Sequence, residues 1–199
     1  MSTAQVYLPW FWFDKCPPLV IPELYKMDWS GFYLPSTSNN DYPDLTTSNG
    51  NFTICDDFDF DNPKTDYDRA CALDKTGLIK VKEGGWALVI DTVYVIAYWE
   101  AKQTFIVKNN TFSTLQEIAN NTLILKELED NWSVMQWQTL LTMDVSTENM
   151  CLMNSCEHGA NPEIPPHELL CFQLEPGHYR LQYTDCAALH LELFHFEKA

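Results

Sequence analysis

Two stretches, GLIKVKEGGWALVID (77–91) and VYVIAYWEAKQTFIVKN (93–109), each place turn residues between two apolar runs, and this pattern limits the fold more than any other feature. Apolar runs of this length separated by Gly84-Gly85 or by Ala101 to Gln103 predict β-hairpins, and residues 78 to 108 together read as a four-stranded meander. The last third continues the theme. Leu170, Phe172 and Leu174 alternate on one side of Pro176-Gly177, Tyr179, Leu181 and Tyr183 alternate on the other, and ALHLELFHF supplies a final alternating strand. Helical signals are short. Thr65 or Asp66 can cap a helix running to Cys71 or Leu73, with Asp66 and Asp68 at the positive end of its dipole. Thr114 and Glu117 form a capping box over TLQEIANN, where Leu115, Ile118 and Ala119 share a face. The fold class expected is α+β, mostly antiparallel sheet with a few short helices.

Near the start, QVYLPWFWF and PLVIPEL are apolar runs punctuated by proline, which suits edge strands or extended segments. Residues 36 to 64 are rich in turn formers, with Asn49-Gly50 the sharpest turn signal, and read as one long surface loop. No repeat or low-complexity tract marks a boundary. One domain over residues 1–199 is expected, with 109–131 the stretch at which two lobes would divide.

The chain carries 28 acidic and 12 basic side chains, a formal charge of -16. Such a field repels nucleic acid and anionic membranes and attracts basic proteins. The charge is uneven: residues 1–62 hold nine acids and two bases, 63–130 ten and eight, and 131–199 nine and two. No Lys or Arg precedes the first apolar stretch, which Pro9 and Asp14 interrupt, so it lacks a signal-peptide layout. WALVIDTVYVIAYW contains Asp91 and falls short of the roughly 18 apolar residues of a membrane span. Seven cysteines at irregular spacing suit reduced, buried thiols. The expectation is a soluble, cytoplasmic protein, and the sequence does not indicate an oligomeric state.

The common catalytic patterns are missing: there is no phosphate loop, dinucleotide-binding glycine motif, Gly-x-Ser-x-Gly or His-Glu-x-x-His. No residue is assigned a catalytic role and no cofactor is expected. Cys151, Cys156 and His158 lie close together, but their spacing fits no common zinc pattern, and His178, His190 and His195 read as residues on alternating strands. Asp56, Asp57, Asp59 and Asp61 fall at nearly alternate positions, as in a calcium loop. Phe58 and Phe60 occupy the intervening sites, the central glycine is missing and Asn62-Pro63 interrupts the run, so no metal is expected. Alternation of Asp with Phe also describes a surface that docks a basic partner around aromatic anchors, against the plainer reading in which the rings pack inward and the carboxylates keep a loop in water. Arg69, one of only two arginines, reads as a local partner of Asp66 or Asp68.

In order along the chain, PLVIPE, Trp29-Ser30-Gly31, TDYDRAC and GLIKVKEGGWALVI leading to Thr92 and AYW resemble the immunity protein 21 family of bacterial polymorphic toxin systems. The similarity is best over about residues 10 to 108, and LMNSCEHG and LEPGHYRLQY extend it less specifically. The resemblance implies an α+β protein that protects its producer by binding a cognate toxin, without catalysis. Asp66, Tyr67, Asp68 and Arg69 correspond to the family motif, which a structural role would also explain. Combined with the charge, the leading reading is an inhibitor that occludes a basic, nuclease-type toxin, with Asp56, Asp57, Phe58, Asp59, Phe60 and Asp61 as its docking loop. An acidic adaptor that binds a secreted effector without inhibiting it is the main rival. An Asp/His hydrolase using His158, His178 or Asp66 comes third.

Overall fold

The computed structural model describes residues 8, 10–13, 16–36, 43–91, 95–108 and 121–199. They form mostly antiparallel β-sheet with a few short helices, an α+β protein. The chain divides into two compact units, both discontinuous: residues 1–12, 94–144 and 177–199 form one, and residues 13–93 and 145–176 the other.

The first unit is built on a six-stranded sheet of order β1-β8-β9-β14-β13-β10. Its strands are β1 (Trp10–Trp12), β8 (Val95–Trp99), β9 (Thr104–Lys108), β10 (Gln138–Val145), β13 (Gly177–Cys186) and β14 (Leu191–Lys198). The β8–β9 hairpin turns through Glu100–Lys102, and Gln103 takes φ 45 to close it. β13 and β14 pair from Tyr179↔Lys198 to Cys186↔Leu191. Helix α3 (Asn121–Asn131) buries Leu125 and Leu128 against Ala97, Trp99, Ile106, Leu191 and Leu193 and leaves Leu123 in solvent. The imidazole of His195 lies 5.2 Å from the ring of Trp132 and 5.5 Å from that of Trp137, with the Lys102 ammonium 5.1 Å from the Trp132 centroid.

The second unit holds a five-stranded sheet of order β12-β11-β2-β7-β6 and a three-stranded sheet of order β3-β5-β4. In the larger sheet are β2 (Pro18–Pro22), β6 (Gly77–Lys80), β7 (Trp86–Val89), β11 (Asn149–Asn154) and β12 (Leu169–Gln173). The smaller has β3 (Tyr33–Pro35), β4 (Leu45–Thr47) and β5 (Gly50–Ile54), and the short helices are α1 (Glu23–Lys26) and α2 (Asp66–Cys71). Leu19 and Ile21, Ala87 and Val89, and Cys151 and Met153 point to one core with Trp29 and Ala70. Both sides of β2 are buried, which its continuous apolar run requires.

Five expectations change. The residues 78–108 are two hairpins in different sheets, because the far edge of β7 is taken by β2 through Leu19↔Val89 and Val20↔Leu88. The apolar pattern sets which faces are buried and leaves the neighbour open. β2 is a central strand: Pro18 and Pro22 occupy its two end positions, and Pro18 still accepts the Ile90 amide at 3.0 Å. The stretch 36–64 is not a single loop, since β4 and β5 form a hairpin whose Thr47↔Gly50 pair encloses Ser48 and Asn49. Pro176-Gly177 does not turn one strand back on the other, because β12 pairs with β11 whereas β13 pairs with β14. His190 lies in a left-handed turn at φ 54 and not on a strand. The expected helix over 114–121 lies outside the described residues apart from Asn121.

Candidate functional site

Three segments distant in sequence meet around Trp29. Its indole is fully buried and donates from Nε1 to the Ser155 carbonyl at 2.9 Å. The Trp29 carbonyl accepts the Gly159 amide at 2.9 Å, and the Phe32 amide bonds the Cys156 carbonyl at 3.1 Å. These approaches need glycine at two points. A Cβ on Gly31, whose φ is +59, would lie 2.2 Å from the Cys156 carbonyl oxygen, and one on Gly159 would lie 1.7 Å from that of Lys26.

Helix α2 docks on the same segment. Thr65 caps it: its hydroxyl accepts the Asp68 amide, and the Asp68 carboxylate accepts the Thr65 and Lys64 amides, each at 3.0 Å. The exchange forms a capping box with aspartate in the usual glutamate place, and Asp68 is 0% exposed. Oδ2 of Asp66 accepts both the amide of Ser30 at 2.9 Å and its hydroxyl at 3.0 Å, and Oδ1 takes Nη1 of Arg69 at 2.7 Å. Arg69 also donates to the Lys80 carbonyl of β6, and the Tyr67 amide bonds Gly31 at 2.9 Å. Asp66, Tyr67 and Arg69 therefore join α2 to the Trp29 segment and to β6, while Asp68 closes the cap through Oδ2 and leaves its buried Oδ1 without a hydrogen-bond partner among the described residues.

The remaining polar groups here are also internal. Nδ1 of His158 accepts the Ala160 amide at 3.0 Å, its ring packs 4.3 Å from Phe52, and burial pushes its pKa down against the opposing pull of Asp66. The Tyr67 hydroxyl hydrogen-bonds Cys71 and Cys16, and burial pushes it far above its usual range. Cys16 also bonds Cys156, which lowers the Cys16 thiol and raises that of Cys156. Among the described residues no three His, Cys, Asp or Glu side chains gather as metal ligands; Cys151 instead faces Cys171.

Between β5 and α2, residues 55–64 cross the surface without regular structure. The alternation of Asp with Phe therefore does not sort into two faces of a strand. Phe58 is 48% exposed with one edge against Tyr67 at 5.3 Å, and Phe60 is 49% exposed. Lys64 bonds Asp57 at 2.5 Å and holds that carboxyl below the usual carboxylate range. Asp59 accepts the Asn62 amide at 2.9 Å, a local turn that fixes Asn62 in place. Asp56 and Asp61 project into solvent. Ile54, 44% exposed at the end of β5, adds an apolar side chain that the sequence did not single out. Its backbone is held by Asp44, whose carboxylate accepts the Ile54 amide at 2.9 Å and the Thr53 hydroxyl at 2.8 Å. The available sequence signal was Asp44 itself, ten residues from its partner and hidden in a turn-rich stretch.

Comparison with known families then decides the assignment, because the model of the family described as Immunity protein 21 matches residues 10–190. The chain belongs to the immunity protein 21 family. The match takes in the Trp29 segment, α2, and the 154–159 turn, so the contacts above are made between parts of one family unit. No curated protein and no solved structure showed significant similarity. Membership of immunity protein 21 implies a cognate toxin as binding partner, and immunity protein families are generally non-catalytic. No helix among the described residues is long and apolar enough to cross a membrane.

Proposed function

We propose that this immunity protein neutralises its toxin by stoichiometric occlusion, that the toxin is a basic, nuclease-type effector, and that residues 54–61 form the docking loop. The observation that carries this reading is the exposure of Ile54, Phe58 and Phe60 within seven residues of one another, among Asp56, Asp57, Asp59 and Asp61. Large apolar side chains left in solvent beside a run of carboxylates, of which Asp57 is already paired with Lys64, suit an interface whose rings supply area and whose carboxylates guide encounter. The family motif takes a supporting part. Asp66, Asp68 and Arg69 anchor α2, and Tyr67 on that helix backs Phe58.

A basic nuclease presents a cleft built for phosphates, and a loop of carboxylates satisfies the same groups without being cut. The charge of -16 would speed the approach over long range. Inhibition then requires binding alone, with no catalytic residue or cofactor, in the cytoplasm of the producing cell.

The test is co-expression with the toxin domain encoded beside this gene, followed by size-exclusion chromatography and a toxin activity assay. Survival, a stable complex and activity that falls in proportion to added protein are the expected results. A complex that leaves toxin activity intact would replace inhibition with an adaptor role. Loss of inhibition on changing residues outside 54–61, with none on changing residues inside it, would move the interface.

A further inference from the structure

Cys151 and Cys171 stand directly opposite each other across the β11–β12 ladder, with their sulfurs 3.8 Å apart. We propose that this pair is a reversible peroxide-responsive latch, in which oxidation joins the edge strand β12 covalently to β11. The inference does not depend on the toxin-docking reading.

Three observations carry it. Opposite residues of an antiparallel ladder have Cα atoms about 4.5–5.5 Å apart, inside the range a disulfide spans without backbone movement. The sulfurs need only close from 3.8 Å to about 2 Å, which side-chain rotation supplies. The two thiols also differ in access: Cys171 is exposed on the outer strand of the sheet, whereas Cys151 is buried among Leu19, Ile21 and Met153. That difference sets the order of events.

The Cys171 thiolate attacks one oxygen of hydrogen peroxide, the O–O bond breaks, and the departing hydroxide takes a proton to leave as water. Cys171 is now a sulfenic acid. The Cys151 sulfur attacks the Cys171 sulfur, the S–O bond breaks, and hydroxide leaves as a second water with the Cys151 proton. In sum, two thiols and one peroxide give one disulfide and two waters, the sulfur pair losing two electrons to the peroxide. Burial, with Cys171 next to it, pushes the Cys151 thiol up to about 12, so Cys151 stays protonated until its partner has been activated. A thiol reductant reverses the step.

The link would close residues 152–170 into a loop, and this loop contains the Asn154–Gly159 segment that bonds Trp29 and Phe32. The latch therefore acts on the region that seats α2.

The test treats the full-length protein with hydrogen peroxide, unfolds it in N-ethylmaleimide and maps the cysteines without reduction. Expected are a peptide pair joining Cys151 to Cys171, a chain lighter by two hydrogen atoms, and full recovery of both thiols with dithiothreitol. The oxidised protein should melt roughly 5–10 °C higher, a shift missing in Cys171→Ser, whose exposed position leaves folding intact. Cys151→Ser should leave Cys171 as a sulfenic acid that dimedone traps. The proposal fails if Cys171 proceeds to sulfinic acid while Cys151 remains alkylatable, if the linked pair is Cys16 with Cys156, or if no thiol is lost.

Discussion

The carboxylate of Asp66 accepts both the amide and the hydroxyl of Ser30, a residue 36 positions earlier, with one and the same oxygen. Its second oxygen meets Arg69, so a single side chain joins the loop after α1 to the first turn of α2 and to its own helix.

Removing that side chain should cost more than an ordinary surface substitution. Hydrogen bonds to a charged group contribute about 1.5–3 kcal/mol each, and Asp66→Ala is expected to lower stability by roughly 2–4 kcal/mol. Asp66→Asn keeps an acceptor for Ser30 and should lose about half as much. Urea unfolding at neutral pH measures both, and equal losses would show that the charge itself carries the junction.

Gly159→Ala and Gly50→Ala separate crowding from backbone strain. The first puts a methyl 1.7 Å from a carbonyl oxygen, whereas the second has φ +130 and open space around it. Gly159→Ala should fail to fold or lose more than about 4 kcal/mol, and Gly50→Ala about 1–2 kcal/mol. Expression yield and thermal melts decide it.

Stability should fall as pH drops below about 6.5, the range in which free histidine takes up a proton. Burial is the main cause that lowers the pKa values of both His158 and His195, so the unfolded chain binds protons first and each acidic step favours it. The stabilisation is complete above 6.5 and is lost as pH falls toward the folded values. His158→Asn should flatten the slope of stability against pH between 6.5 and 5, whatever it does to stability at pH 8; an unchanged slope would remove His158 as a cause.

Phe60→Ala and Phe58→Ala should part company. Both should weaken toxin binding by roughly 10- to 100-fold, chiefly through faster dissociation. Only Phe58→Ala should also lower the melting temperature, because Phe58 packs against Tyr67. Biolayer interferometry beside thermal melts gives both quantities.

Replacing Asp56, Asp57, Asp59 and Asp61 with asparagine should slow association about tenfold at low salt and flatten its salt dependence. Unchanged association kinetics would take these carboxylates out of the encounter.

The sequence revealed elements better than their neighbours. The hairpin at Gly84-Gly85, the cap at Thr65 and the strand from Leu191 were all readable, because a turn glycine, a capping hydroxyl and period-two alternation are local signals. Which strands lie side by side was not. β2 pairs with β11 through Val20↔Leu152, a relation no short window contains. At the candidate site, the aspartate and phenylalanine positions were visible as residue types, but their exposure depends on the loop between β5 and α2 having no regular structure. Ile54 was missed because its exposure comes from the hairpin end that Asp44 holds. Gly31 and Gly159 could have marked the crowded junction, as two of only seven glycines, yet nothing local says what a glycine lies against.

The central place of β2 also bears on timing. Residues 18–22 emerge early in synthesis, but their partner β11 ends at Asn154, so one edge of the strand stays open while the intervening 132 residues are made. At translation rates of about 5–20 residues per second that wait is roughly 7–26 s. A nascent chain interrupted before β11 holds β2, β7 and β6 but has neither the β2–β11 pairing nor the turn that holds Trp29. The Trp29 junction therefore closes only after residue 159 has been made, late in a chain whose first strand of that sheet was ready from the start.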